Sequence, residues 1–153
     1  MINVDENKDY TEDRYNGYCG ALEKHKLAPP PNAYLQAVNN VQGGHDAALS
    51  LLETTDCTAI FCATDTMAIG VCQAIMEKGL RVPEDISVVG FDGLAHNLLS
   101  PPHVTTVQQP VYRIGEMLAE QLLKELDGKS GHINKLVKPD LIEGKSVSTI
   151  SLD

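Results

Sequence analysis

Short apolar runs alternate with amphipathic stretches along this chain, a pattern that predicts α/β layering with parallel strands. Ile2-Asn3-Val4 reads as the end of a strand. From Thr11 to Lys26, Tyr15, Tyr18, Cys19 and Leu22 fall at helical spacing; Thr11 is placed to cap the start, and Pro29-Pro30-Pro31 to end the segment. Tyr34 to Val38 is predicted as a strand. Gly43-Gly44 then punctuates the chain ahead of a helix from His45 to about Glu53. Thr58 to Ala63 is a continuous apolar run of strand length, as expected when both sheet faces are covered. A helix follows from Asp65 to about Lys78, with Met67, Ala68, Val71, Ala74 and Ile75 as its buried stripe and Gly79 as its stop. Ile86 to Phe91 is a second buried strand with Asp92 at its carboxyl end, and Gly93 to His103 is a loop. Val104 to Val107 is a short strand. Val111 to Leu126 is a strongly amphipathic helix with Ile114, Leu118 and Leu122 on one face. After a polar turn from Asp127 to Gly131, the tail from Ile133 to Ile150 reads as two short strands, broken at Pro139-Asp140 and Gly144-Lys145. The fold class expected is a Rossmann-like parallel sheet with helices on both faces.

Composition narrows the function. The chain has 153 residues, enough for one α/β domain, with a formal net charge of −9 and its basic residues scattered singly. Such a surface repels a phosphate backbone, so this chain by itself is a poor nucleic-acid binder. Trp is absent and Phe and Tyr are sparse, so the core must rest on aliphatic side chains. Cys19, Cys57, Cys62 and Cys72 show no C-x-x-C pair and no zinc spacing; they read as reduced, mostly buried thiols of a reducing cytosol. No apolar stretch reaches membrane-spanning length and no signal peptide is evident. The expected location is cytoplasmic, with no membrane partner.

In open α/β sheets, ligands bind beyond the carboxyl ends of the strands. Thr64-Asp65 and Asp92 occupy two such ends. Asp65 precedes a helix and is read chiefly as its cap, with Thr64 better placed to face a ligand. Asp92 has no helix immediately after it and is either a ligand contact or an Asx-turn residue. Arg14 is either a solvated cation or a planar donor fork for a polar ligand. Gln108 and Gln109 either bond across a cleft or end a strand. No nucleophile elbow, P-loop or dinucleotide fingerprint occurs, and the five histidines show no metal spacing. A two-carboxylate hydrolase built on Asp65 and Asp92 is conceivable, but nothing in the sequence raises the pKa of either. No catalytic residue, metal site or cofactor is expected.

Four strings point further. Residues 58–70, beginning Thr58-Ala59-Ile60, resemble the "P-T-A-x-x-x-x-N-D-x-M-A-x-G" of the LacI/GalR repressor family. Residues 79–92 resemble its "G-x-x-V-P-x-D-I-S-V-V-G-F-D". The stretch from Pro101 to Pro110, with Val104-Thr105-Thr106-Val107 inside it, is similar to "P-x-L-T-T-V-x-Q-P", and Arg14-Tyr15-Asn16-Gly17-Tyr18 to "R-x-x-G-F/Y". The order and spacing of the four make the resemblance specific, and it covers most of the chain before thinning after Gly128. It implies a type I periplasmic-binding-protein-like fold of two lobes with a small ligand between them. Residues 1–103 resemble the C-terminal lobe, 104–127 a crossover strand and helix of the other lobe, and 128–153 a return segment and tail. The DNA-binding head and most of the amino-side lobe would be absent. Exposed apolar surface favouring dimerisation or segment exchange is then expected.

The resemblance carries ligand contacts onto Arg14, Thr64, Asp92 and Gln109, with Asn39 at the position where the family often places a stacking aromatic. Thr64 stands where Asn is common, Gly93 where Asp or Asn follows the family's Asp, and Gly144 where an Arg is common. The helix Asp65–Lys78 and the loop Leu94–Ser100 match segments that form the family's subunit interface. The implied function is the effector-sensing and dimerisation domain of a repressor, responsive to a sugar or sugar phosphate and reaching DNA only through the missing head. A periplasmic or lipoprotein sugar-binding protein of the same fold is the alternative. The stretches Cys62-Ala63-Thr64-Asp65-Thr66 and Lys24-His25-Lys26-Leu27 resemble repressors of disaccharide operons such as trehalose.

Overall fold

The computed structural model describes residues 1–5, 9–29, 31–94, 101–128 and 134–149. The chain runs β1 (Ile2–Val4), α1 (Asp9–Lys24), β2 (Leu35–Ala37), α2 (Val41–Thr54), β3 (Ala59–Phe61), α3 (Asp65–Glu77), β4 (Ser87–Val89), β5 (Thr106–Gln108), α4 (Val111–Leu126) and β6 (Asp140–Ile142). β1 pairs in parallel with β2, β3 pairs in parallel with β4, and β5 pairs antiparallel with β6. Parallel bridges Ile2↔Cys62, Val89↔Thr105 and Asp92↔Gln108 join these pairs in the order β2-β1-β3-β4-β5-β6.

The period of two along a strand sorts side chains between the two helical layers. Ile60 of β3 is 1% exposed and packs with Val88 of β4, Ile2 and Val4 of β1, Leu51 of α2, and Met67, Val71 and Ile75 of α3. Phe61 points the other way and stacks on Tyr18 of α1, with ring centroids 6.3 Å apart. Asn3 faces α1 as well; its amide donates to the Thr11 carbonyl at 2.9 Å and to the Tyr34 hydroxyl at 3.2 Å. Helices therefore cover both faces, which is why the strand sequences read as unbroken apolar runs.

The α3 stripe is buried as its 3.6-residue period predicts, and Gly79 ends the helix at φ 77°. The ends of α1 and α2 differ from the sequence expectation. α1 begins at Asp9, so Thr11 lies inside the first turn and does not cap it. It stops at Lys24, short of the prolines. Lys26 takes a left-handed conformation (φ 56°), and the Leu27 amide returns to the Leu22 carbonyl at 2.9 Å. α2 begins at Val41, capped by the Asn40 side chain, which accepts from the Gly43 amide at 2.6 Å. Gly43-Gly44 is thus inside the helix. A Cβ on Gly44 would lie 2.2 Å from the Met67 carbonyl oxygen, and one on Gly70 would lie 1.9 Å from that of Val41. The two glycines are there because α2 and α3 touch backbone to backbone.

The tail holds one described strand, β6, rather than two. Beyond it, Ser146 is fully buried, donating its hydroxyl to the Val88 carbonyl and accepting from the Thr105 amide at 2.8 Å. The Val88 amide also donates to the Ser146 carbonyl and the Lys145 amide to the His103 carbonyl, both at 2.7 Å, so the segment is held by isolated backbone bonds and one buried hydroxyl without forming a second described strand. α4 contains no buried residue; Leu118 and Leu122 are 66% and 59% exposed. A groove of about 250 Å³ runs along it, lined by Ile114, Met117 and Leu118 and by Lys135 and Val137 of the tail. Among the described residues, no helix is long and apolar enough to cross a membrane. Of the interface segment expected at 94–100, only Leu94 lies within the described residues.

Candidate effector site

Four of the five residues singled out from the sequence follow the carboxyl ends of strands: Asn39 after β2, Thr64 after β3, Asp92 after β4 and Gln109 after β5. Arg14 reaches the same edge from α1. Its Nη1 donates to the Ala63 carbonyl at 2.9 Å, its Nη2 lies 3.5 Å from Asp92 Oδ1, and its guanidinium carbon sits 4.2 Å from the centroid of the Phe91 ring. Gln109 Nε2 donates to the same Asp92 oxygen at 2.8 Å. Arg14, Asp92 and Gln109 therefore form one cluster. The Arg14 and Asp92 side chains are 14% and 25% exposed, so the pair is neither solvated nor sealed.

Thr64 and Asn39 form a second pair, with Thr64 Oγ1 donating to Asn39 Oδ1 at 2.7 Å. The two groups meet at the turn after β3, where the Ala63 carbonyl holds Arg14 and the next residue is Thr64. Thr64 also caps α3, accepting from the Met67 amide at 3.3 Å. The expectation that Asp65 is the cap is thereby corrected. Asp65 is the first residue of the helix, fully buried, and its carboxylate accepts from the Thr106 hydroxyl and the Leu94 amide. Because Thr64 and Asp65 adjoin and both suit a cap, composition does not separate them; the extended backbone at Thr64 (φ −140°) does.

Asp92 holds φ 111°, a sparsely populated region for a residue with a Cβ. Its amide donates to the Val107 carbonyl at 3.0 Å, fixing it to β5. Burial pushes its carboxyl above the usual range, an effect partly offset by the Arg14 guanidinium and the Gln109 amide. A carboxylate held this way keeps acceptor capacity for a hydroxyl placed over the sheet edge. Phe91 and the Ala63 carbonyl were not singled out from the sequence. Both lie in apolar runs whose pattern reports burial and not contact with Arg14. None of the four cysteines is in a disulfide; burial pushes the Cys62 thiol up and the Cys72 thiol up to about 12. Among the described residues, no group of three or more His, Cys, Asp or Glu side chains is arranged to hold a metal ion.

Residues 1–147 match the family described as periplasmic binding protein-like domain. This chain belongs to that family. The HTH-type transcriptional repressor PurR of Haemophilus influenzae (strain PittEE) is 34% identical over 149 residues, covering 94% of this chain and 44% of that protein. A ribose operon repressor of the same species (strain ATCC 51907 / DSM 11121 / KW20 / Rd) is 33% identical over 146 residues, with the same coverage of each chain. Among solved structures, a dimeric Lac repressor with an 11-residue C-terminal deletion superposes with a TM-score of 0.87 at 28% identity, covering 95% of this chain and 53% of that one. The periplasmic-binding-protein-like fold expected from the four strings is thus the fold found. The chain spans less than half the length of the curated relatives it matches.

Proposed function

We propose that this chain is the effector-sensing part of a LacI/GalR-type transcriptional repressor, a regulator and not an enzyme. The observation that carries the reading is the Arg14–Asp92–Gln109 cluster beyond the carboxyl ends of β4 and β5. Its fixed donors and acceptor suit the hydroxyls of a sugar or sugar phosphate, with Thr64 and Asn39 lining the neighbouring edge. The effector changes the geometry of the whole regulator, which alters DNA affinity through a head outside this chain. The regulator acts in the cytoplasm as a homodimer. Residues 1–103 form one lobe of the cleft, 104–127 cross to the other, and 128–153 return. The repressor names of the relatives favour this over a periplasmic sugar-binding protein. Those names refer to PurR and to ribose, so trehalose enters only as one member of the ligand panel.

The test is a thermal-shift screen of the full-length protein against mono- and disaccharides and their phosphates. At least one should raise the melting temperature, and Asp92→Ala should abolish that rise while leaving the unliganded melt cooperative. A sugar-induced shift that survives in Asp92→Ala would overturn the assignment of this site. Turnover of any sugar in the panel would overturn the regulatory reading.

A further inference from the structure

The buried Asp65 carboxylate receives its donors from two elements that are not its own. The Thr106 hydroxyl of β5 donates to Oδ1, and the Leu94 amide donates to Oδ2. The Thr106 oxygen in turn accepts from the Gly93 amide at 3.3 Å. The amides of residues 93 and 94 are therefore both tied, one directly and one through Thr106, to a single side chain. Asp65 is 0% exposed and its own amide donates to the Phe91 carbonyl at 2.7 Å, so it grips the exit of β4 on both sides of Asp92.

An ion buried this deeply is costly unless its oxygens are satisfied. Here the start of α3 places the carboxylate where helix amide dipoles favour negative charge, and the two donors bond one to each of its oxygens. Capping does not explain an acid at this position, since Thr64 caps the helix. What the two donors have in common is their place beside the site: Leu94 lies two residues beyond Asp92, and Thr106 three before Gln109.

We infer that Asp65, acting with Thr106, is a positioning residue for the effector site: it holds the 92–94 turn and the exit of β5 in the conformation that aims Asp92 and Gln109 at one point. Asp92 sits at φ 111°, a conformation that persists only where its surroundings over-determine it. The pinned amides of Gly93 and Leu94 supply that constraint downstream, and the Asp92 amide bond to Val107 supplies it at the residue itself. If the turn is released, the Asp92 carboxyl swings away from Arg14 and Gln109 into water. The inference rests on the proposed effector site, but its test requires no effector.

The experiment compares Thr106→Val, which keeps the shape and removes the hydroxyl, with Thr106→Ser, which keeps the hydroxyl, in the full-length protein without ligand. Two quantities are read by NMR: hydrogen exchange of the Gly93 and Leu94 amides, and titration of the Asp92 carboxyl carbon. In Thr106→Val, both amides should exchange at least about tenfold faster while amides in α3 stay protected, as expected for local opening. The Asp92 carboxyl should titrate lower, toward the ordinary carboxylate value, because the burial that raises it is lost. Thr106→Ser should behave like the parent on both counts. A purely structural hydroxyl would lower the melting temperature and leave the Asp92 titration unmoved, and that result overturns the inference. If Thr106→Val does not fold, Thr106→Ala serves with the same readouts. Loss of sugar binding in the screen above with an intact Thr106 effect would sink the effector reading and leave the positioning device standing.

Discussion

Gly44 shows how much one side chain decides in this fold. Its α-carbon faces the Met67 backbone, and an added Cβ would lie 2.2 Å from the Met67 carbonyl oxygen. Because the obstacle is backbone, no rotamer change relieves it. Gly44→Ala should therefore destabilise the protein by about 1–3 kcal/mol, the usual range for overpacking, although alanine is the better helix former. Urea denaturation should show a lower midpoint with an unchanged slope; a variant as stable as the parent would contradict the close approach of α2 and α3. The sequence shows the glycine pair, and read from the sequence it suggests a turn. Nothing in the local pattern distinguishes a glycine that bends the chain from one that lets a second helix in. Asp92 and Gln109 were visible as polar residues at strand ends, but the single Asp92 oxygen that takes both Gln109 and Arg14 was not.

At the scale of elements, α2 and α3 are joined at their exposed edge by His45. Its Nε2 lies 2.9 Å from Glu77 of α3 and its Nδ1 3.2 Å from Asp46 of its own helix. Hydrogen bonds to Asp46 and then Glu77 raise the His45 pKa above the ordinary histidine value of 6.5, against an opposing effect of desolvation. A raised folded pKa means that the folded state holds the proton more tightly than the unfolded one. The resulting stabilisation is fully present below the unfolded value of 6.5 and is lost as pH rises through the folded value. Melting temperatures of the parent and of His45→Gln should thus differ most near about pH 6 and converge as pH rises through the folded value. A difference that grows with pH would reverse the assignment. The elements themselves were legible where periodicity was strong: α3 and α4 have the ends their patterns predict, give or take a residue. α1 and α2 start earlier than predicted because their first turns carry polar residues and glycines that a hydrophobic pattern does not count.

On the scale of the whole molecule, the aliphatic core is continuous through β1, β3, β4, α2 and α3, whereas α4 stands outside it with no buried residue. An amphipathic helix with that much bare apolar surface needs a partner face. At micromolar concentration the 153-residue chain by itself should sediment as a dimer or larger species. Leu118→Glu with Leu122→Glu should shift it to monomer, since both side chains are exposed on that face. A monomeric parent chain would show that α4 tolerates solvent. On the two-lobe reading proposed above, the isolated chain should also bind sugars weakly or not at all by calorimetry, because it spans 44% of the PurR relative and would carry one edge of the cleft.

The sequence by itself determined the α/β class, the order of helices and strands, the family, and a short set of polar residues at strand ends. Each of these depends on local period or on a string of adjacent residues, and such signals survive without three-dimensional information. Only the tertiary structure decided which of two neighbours caps α3, that Arg14 lies over Phe91 and beside Asp92, and that Asp65 faces Thr106 across 41 positions of chain. These depend on distances between residues far apart in the chain, and the energy of a buried carboxylate is set by whichever donors the fold brings to it.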